Sequence, residues 1–573
     1  MLRLLRLMLR LDHGQMDRMI KLSCDNSRFL WFYLNSNKNM TSSERNIWIG
    51  TATLGAVVVG WLLGRATWVD AQAEKVVQAP SALPAIVDRE WGKRTAANER
   101  GQGFAIDDAA LKEGALPGQR SLIFASAEDL EAFLKRAGDH VKVLNRIDAL
   151  NALRIGFGDL TDLDGLLDGS EEMGYIFPAY TPNPSGGVVQ ADAKPLGNRL
   201  LEWLGLDEFD ESLGKGVKIA ILDTGVVPHP AYGDGVNNIF LIDGALDYAD
   251  WNGHGTAAAS LILGDSQQVP GAAPGADLTS WVVADRDGVS NSALIAQAIV
   301  AAADAGNQII SISMGSYGDS SLLRAAVEYA QSKNAIIVAS SGNDGYTKAA
   351  YPAGYANVVA AVGVDAQNNH LLFSNEAKSS ALSAPGWGVN AAYPGDQMVS
   401  FSGTSASAPI IAGSIAAVMS AQNYNAQQAL AAIYNYTNEA GAAGYDPYTG
   451  AGAVNIGRIL QKNTTGIYDA AAASHLITPP STGVAANVQV NIQNQGTATL
   501  TNVPVEVITP SGTSILSVPS LGAGEVKSFT LSLPNAAFAN GASVSVSSTI
   551  KATDAVYKNN VRTTTYSPPP VAD

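Results

Sequence analysis

The run Val217-Lys218-Ile219-Ala220-Ile221-Leu222, which ends in Asp223-Thr224-Gly225, restricts the fold more than any other stretch of this 573-residue chain. A strand that is apolar at nearly every position has no solvent face, so both faces must be covered, as in a parallel sheet packed between helices. The chain beyond it repeats the pattern. Residues 256–263, 292–305 and 321–332 carry helical periodicity, and they alternate with apolar strands predicted at 278–283, 308–314 and 335–339. Such alternation predicts an α/β, doubly wound parallel-sheet domain, in which ligands gather at the carboxyl ends of the strands. Asp223 and Gly315 fall at such ends, and Asn343 falls in the loop beyond the last of these strands.

Three polar clusters bear on that rim. Residues 401–413 place Ser405 at the predicted start of a small-residue apolar helix containing Ile410, Ile411 and Val418. A helix N-terminus offers unpaired N–H groups and the positive end of a dipole, so a hydroxyl there sits beside a site for developing negative charge. Alone, the stretch fits an N-capped core helix equally well. His254 stands between Gly253 and Gly255 at the start of an Ala-rich helix, and Asn343 follows Ser341-Gly342 in a turn. Each has an ordinary structural reading. Together, an acid at a strand end, a histidine, an amide donor and a serine at a helix start are the parts of an acyl-transfer site.

Bulk properties narrow the partners. An apolar fraction of 46% describes a globular chain, and its length suits about three or four domains. Residues 1–45 carry eight Lys/Arg and four Asp/Glu, which leaves 28 against 48 in the remainder. That acidic balance excludes nucleic acid as a partner of the main body. Cys24 is the only cysteine, so no disulfide framework, cysteine nucleophile or cysteine metal site forms beyond it.

The flanks read separately. Residues 1–46 form a basic segment with Arg3, Arg6 and Arg10 at helical spacing; it fits a membrane-surface helix, or sequence upstream of a true start at Met40. Residues 47–73 combine an apolar run with Ala71-Gln72-Ala73, and both a signal peptide and a signal anchor fit. Their basic N-terminal side predicts that the rest crosses the membrane. A linker spans 74–119. Residues 120–184 predict a ferredoxin-like β-α-β-β-α-β unit: a strand at 121–125, a helix at 127–137, two strands within 141–157 around a turn at 145–148, a helix at 160–173 and a strand at 175–177. A second linker occupies 185–199. Strands predicted at 488–492, 503–508, 526–533, 543–550 and 561–566 make 475–566 an all-β sandwich, before a Pro-rich tail at 567–573 expected to be disordered.

The motifs resemble those of the subtilisin-like (subtilase) serine proteases. Asp223-Thr224-Gly225, His254-Gly255-Thr256 and Gly403-Thr404-Ser405-Ala406-Ser407-Ala408-Pro409 match the family's Asp, His and Ser motifs in the family's chain order, and Gly342-Asn343 matches its oxyanion asparagine. Tyr351-Pro352-Ala353 and Ser383-Ala384-Pro385-Gly386 match outside the catalytic motifs, and the likeness covers about residues 200–460 of a catalytic domain expected at 200–462. One departure is Ala257, where the family often has a second histidine.

The resemblance implies a serine endopeptidase acting on proteins or peptides, with Asp223, His254 and Ser405 catalytic and Asn343 binding the oxyanion. It further implies that substrate adds as a strand to Gly288, Val289, Ser290 and Asn291 on one side and to Ser313, Met314 and Gly315 on the other. A pocket walled by the second edge, Ser341 and Gly342, with Ala350 at its floor, predicts a preference for Phe, Tyr, Leu or Met before the cut bond. The chemistry needs no cofactor; structural Ca²⁺ is possible in the family, but no metal ligands are recognisable here. Residues 120–184 resemble the family's inhibitor-type propeptide, an intramolecular partner, with self-cleavage expected between about residues 180 and 200. The C-terminal sandwich resembles CARDB-like adhesion domains through Asn494-Gln495-Gly496-Thr497 and residues 554–560, and fits a surface-binding module or a spacer. The expectation is a self-processing zymogen, secreted or periplasmic, held at the membrane through its N-terminal segment before processing. A catalytically silent surface adhesin and a peptide-joining transferase are the alternatives on the same fold.

Overall fold

The computed structural model describes residues 114–567 except 164, 170, 182–191, 234, 243–251, 378–379, 553 and 555. The expectations for the basic segment, the signal or anchor, most of the first linker, part of the second and the tail after residue 567 lie outside the described residues.

Strands β1 (Gln119–Phe124), β2 (Lys142–Ile147), β3 (Ala152–Gly156) and β4 (Glu171–Gly174) form an antiparallel sheet in the order β2-β3-β1-β4. Helix α1 (Ala127–Ala137) is capped by Ser126, whose hydroxyl accepts the Asp129 N–H. It lays Leu130 and Phe133 on one face of the sheet, against Leu122, Leu153 and Ile155. The expected turn at 145–148 falls slightly later, as a 3₁₀ turn at Asp148–Leu150 followed by left-handed Asn151.

The second helix, expected at 160–173, does not form. Only a 3₁₀ turn, Leu160–Leu163, is present. Gly165 and Gly169 take φ of 78° and 83°, which a right-handed helix cannot use, and the Asp162 carboxylate accepts the N–H groups of Gly158 and Asp159. Nor is 175–177 the last strand. The sheet closes with β4, and the chain runs on into β5 (Pro178–Tyr180), which joins a different sheet.

The central domain is built on seven parallel strands: β6 (Lys218–Asp223), β7 (Asn237–Phe240), β8 (Asp277–Val282), β10 (Ile309–Ile312), β11 (Ile336–Ser340), β12 (Val359–Val364) and β13 (Ala381–Pro385). The short β9 (Val289–Asn291) stands outside this sheet, whose order is β13-β12-β11-β10-β6-β8-β7. Period-two alternation divides the core. Ile219 and Ile221 face helices α2 (His254–Leu263) and α5 (Thr404–Gln422), while Ala220 and Leu222 face α3 (Ser292–Asp304) and α4 (Ser321–Ser332). Each isoleucine or leucine buried in this way contributes about 1.5–3 kcal/mol, which is why the strands lack the polar alternation of a half-exposed sheet. A hairpin, β14 (Val389–Tyr393) and β15 (Gln397–Phe401), feeds the chain into α5. Among the described residues α5 is the one helix long and apolar enough to cross a membrane, but it is buried from Thr404 to Met419 as the core helix of this domain.

The free face of the N-terminal sheet packs on α3 and α4. Ile147, Ala152 and Ile176 share their core, and Asn145 Nδ2 donates to Gln297 Oε1 at 2.8 Å.

At the other end, β16 (Ala470–Thr478), β17 (Asn487–Asn494) and β20 (Val526–Ser532) face β18 (Leu500–Thr509), β19 (Gly512–Leu521), β21 (Val544–Ile550) and β22 (Val561–Tyr566) across a core of Val488, Val490, Val505, Val507 and Val546. Two of these strands have no counterpart among the predicted ones. β16 opens with four alanines, a residue depleted in strands, and β19 points Ile515 outward at 70% exposure, so its pattern marks no buried face. Polar contacts tie this sandwich to the central domain: Asn491 Nδ2 donates to Gly441 O at 3.1 Å, and the buried Arg562 donates to Asn369 Oδ1 at 2.7 Å.

Candidate active site

Asp223 is the last residue of β6, next to β8, where the sheet order reverses, and it is fully buried. Thr224 N–H donates to its Oδ1 at 2.8 Å. His254 opens α2, and its Nδ1 lies 2.8 and 2.9 Å from the two carboxylate oxygens of Asp223. A second bond stitches the two segments, since the Gly255 backbone N–H donates to the Thr224 side-chain Oγ1 at 3.0 Å. Phe401 meets the imidazole edge-on, with ring centroids 5.3 Å apart at 87°. A carboxylate can only accept here, so the Nδ1 position carries the proton and Nε2 is left as the basic nitrogen. Nε2 has no hydrogen-bond partner among the described residues.

Ser405 is the second residue of α5 and 2% exposed. Its Oγ donates to Ser313 O at 3.3 Å, while Ser313 Oγ donates to Ser405 O at 3.0 Å. The structure thus joins Asp223 to His254 directly, but no hydrogen bond joins Ser405 Oγ to His254 Nε2. Asn343 lies three residues past the end of β11 and is fixed through its oxygen: Thr404 N and Oγ1 both donate to Asn343 Oδ1, at 2.8 and 2.9 Å. With Oδ1 so occupied, the amide nitrogen turns toward Gly403, where a side-chain carbon would come within 2.9 Å of it.

The residues expected to line substrate fall into two groups. Val289, Ser290 and Asn291 form β9, with Gly288 just before it, and this edge presents backbone rather than side chains: Ser290 Oγ donates to Val283 O, and Asn291 caps α3 by accepting from Ala293 and Leu294. Strand β5 pairs with β9 antiparallel, Ala179 opposite Ser290, and Thr181 N–H donates to Gly288 O at 2.9 Å. Tyr180 also bridges to Gly315. A piece of the chain's own N-terminal part therefore lies between the two edges. Met314 turns its side chain into the core, 1% exposed, so only its backbone faces the groove. Ala350 joins the two walls, its N–H donating to Ser341 O at 2.8 Å and its Cβ packed close to Gly315.

Thr404, Tyr317 and Asp344 also shape the site and were not singled out as site residues from the sequence. Tyr317 donates to the Asp344 carboxylate behind Gly342; burial pushes the carboxyl above its usual range, and burial together with the nearby carboxylate pushes the phenol up. Thr404 was visible inside the serine motif as a hydroxyl one residue before the candidate nucleophile. Tyr317 carries no such signal, because nothing in the spacing of residues 317 and 344 announces their contact. Among the described residues no group of three or more His, Cys, Asp or Glu could hold a metal ion.

The subtilase family model matches residues 214–452. Thermitase from Thermoactinomyces vulgaris is 34% identical over 258 residues, 44% of this chain and 91% of thermitase. Alkaline elastase YaB from Bacillus sp. (strain YaB) is 31% identical over 318 residues, covering 54% of this chain and 77% of the elastase. In fold, the chain is similar to the epidermin leader peptide processing serine protease of Staphylococcus aureus, with a TM-score of 0.51 at 19% identity over 61% of this chain and 99% of that one. The chain belongs to the subtilase family and is a subtilisin-like serine protease.

Proposed function

We propose that this protein is an exported serine endopeptidase that works through an acyl-enzyme and is made as a zymogen that processes itself. The chemical reading is carried by the buried contact of His254 Nδ1 with both oxygens of Asp223. Ser405 Oγ turns from Ser313 O to His254 Nε2, gives up its proton there and bonds to the substrate carbonyl carbon. Asp223 holds the imidazole in the tautomer that accepts at Nε2 and stabilises the imidazolium that forms. Negative charge on the carbonyl oxygen is met by the Asn343 amide and the Ser405 N–H at the N-terminus of α5. The C–N bond breaks as His254 returns the proton to the leaving amine; water then repeats the sequence and frees the acid.

In this reading residues 120–184 are a ferredoxin-like, inhibitor-type propeptide, 200–462 the catalytic domain and 475–566 a CARDB-like module. Support for self-processing comes from the anchorage of the chain on both sides of residues 182–191. Before them, Thr181 is bonded to Gly288; after them, Leu196 and Gly197 N–H groups donate to Trp387 O and Gly388 O, and Gly388 N–H in turn donates to Ser402 Oγ. Export rests on the sequence of residues 47–73. Mass spectrometry of secreted wild type and Ser405→Ala tests the proposal: the variant is expected to keep residues 120–184 attached. Cleavage of the variant at the wild-type bond in a protease-free host would refute self-processing.

A further inference from the structure

We infer that Asn375 is a positioning residue for Asn343, an inference that rests on the reading of Asn343 as the oxyanion donor. Asn375 lies between β12 and β13 and is fully buried. Its carboxamide is saturated. Oδ1 accepts the N–H groups of Asp344 at 3.1 Å and Tyr346 at 2.9 Å, while Nδ2 donates to Ser341 O at 3.0 Å and Tyr317 Oη at 2.8 Å. Two lone pairs and two N–H bonds are the whole capacity of that group. The Asn375 backbone N–H adds a bond to Gly342 O at 3.1 Å.

Asn343 is thereby bracketed, its preceding residue held through a carbonyl and its following residue through an N–H, both by Asn375. The approach is close enough that a side-chain carbon on Gly342 would stand 2.2 Å from Asn375 Nδ2. Thr404 holds the other end, the side-chain oxygen of Asn343. Backbone and amide oxygen are both fixed, so the direction of the Asn343 N–H bonds is decided before substrate arrives. Such preorganisation is what an oxyanion donor needs, since it works only within about 2.7–3.1 Å of the anion, and a displacement of about 1 Å can cost about 10²-fold in rate. Without the Asn375 carboxamide, Ser341 O and the N–H groups of Asp344 and Tyr346 lose their partner while Gly342 O keeps only the Asn375 backbone N–H, and the loop around Asn343 is free to shift.

A residue that only stabilised the fold would lower the melting temperature and leave turnover by the folded enzyme intact. Its effect would also add to that of any change at Asn343. A positioning residue acts through Asn343 and stops mattering once that side chain is gone. The test is a double-mutant cycle on the full-length, processed enzyme, with kcat and KM measured on a peptide substrate for wild type, Asn343→Ala, Asn375→Ala and the double variant. Asn343→Ala is expected to lower kcat about 10²–10³-fold with KM little changed. Asn375→Ala is expected to lower kcat about tenfold in the wild-type background and less than about twofold in Asn343→Ala. Equal losses in the two backgrounds, or no loss of kcat in Asn375→Ala, overturn the role of Asn375. An unchanged kcat in Asn343→Ala overturns the oxyanion reading beneath it. Should Asn375→Ala fail to fold, Asn375→Asp keeps the acceptors toward Asp344 and Tyr346 while removing both donors, and enters the same cycle under the same criteria.

Discussion

Gly255→Ala sets two effects of opposite sign against each other. Gly255 is the second residue of α2, directly after His254. Helix propensity alone favours alanine there by about 1 kcal/mol. The tertiary structure opposes it, because the added methyl carbon would stand 2.2 Å from Gly225 O, 3.0 Å from Gly225 C and 3.1 Å from Gly225 N. All three are backbone atoms, so no rotamer change relieves the clash. To reach the 3.4 Å at which ordinary contact begins, α2 must move away from residues 223–225 by about 1.2 Å. The same movement stretches the His254–Asp223 contact from 2.8 Å toward about 4 Å, beyond hydrogen-bond range. Overpacking of this kind costs about 1–3 kcal/mol, enough to cancel the propensity gain, and the misplaced imidazole is expected to lower kcat/KM about 10²-fold. Hydrolysis of a chromogenic peptide, with melting temperature measured alongside, checks both numbers. A Gly255→Ala enzyme within about twofold of wild-type kcat/KM and with an undiminished melting temperature would refute the reasoning.

Acid is expected to weaken the protein through His475, whose Nε2 pairs with Ser548 Oγ at 2.7 Å in the sandwich and whose pKa burial, aided by the Arg562 charge, lowers from 6.5 to about 3. The unfolded chain binds that proton below about pH 6.5 and the native one does not until about pH 3, so this contribution is complete above 6.5 and is lost as the pH falls between those values. His475→Gln should flatten the acid limb of urea midpoints plotted against pH, with His370, lowered by burial to about 4, supplying part of the slope that remains; an unaltered limb would rule His475 out as a source. For specificity, the small Ala350 between Gly315 and Ser341 is expected to favour Phe, Tyr, Leu or Met before the cut bond, and a peptide-library profile dominated by Arg or Lys would contradict it.

Much of the candidate site was legible in the sequence because each proposed member sits in a local context that its chemistry demands: an acid at the end of a buried strand, a histidine between glycines, a serine at a helix start. Strand and helix positions in the central domain were legible for a related reason, since a sheet covered on both faces leaves unbroken apolar runs such as residues 217–222. The flanking modules were harder to read. Their elements depend on which glycine takes a left-handed turn, as at Gly165 and Gly169, or on partners that an alanine-rich strand such as β16 does not advertise.

Sequence by itself therefore determined which groups are available for chemistry and the layered α/β frame that carries them, because both follow from residue type and short-range periodicity. Only tertiary structure decided how those groups are aimed. Asn375 brackets Asn343, Thr404 fixes its amide, Gly225 leaves no space for a side chain at Gly255, and β5 lies between two edges more than a hundred residues further along the chain. These contacts join segments with no shared period or motif, and close packing, which no local pattern encodes, selects them.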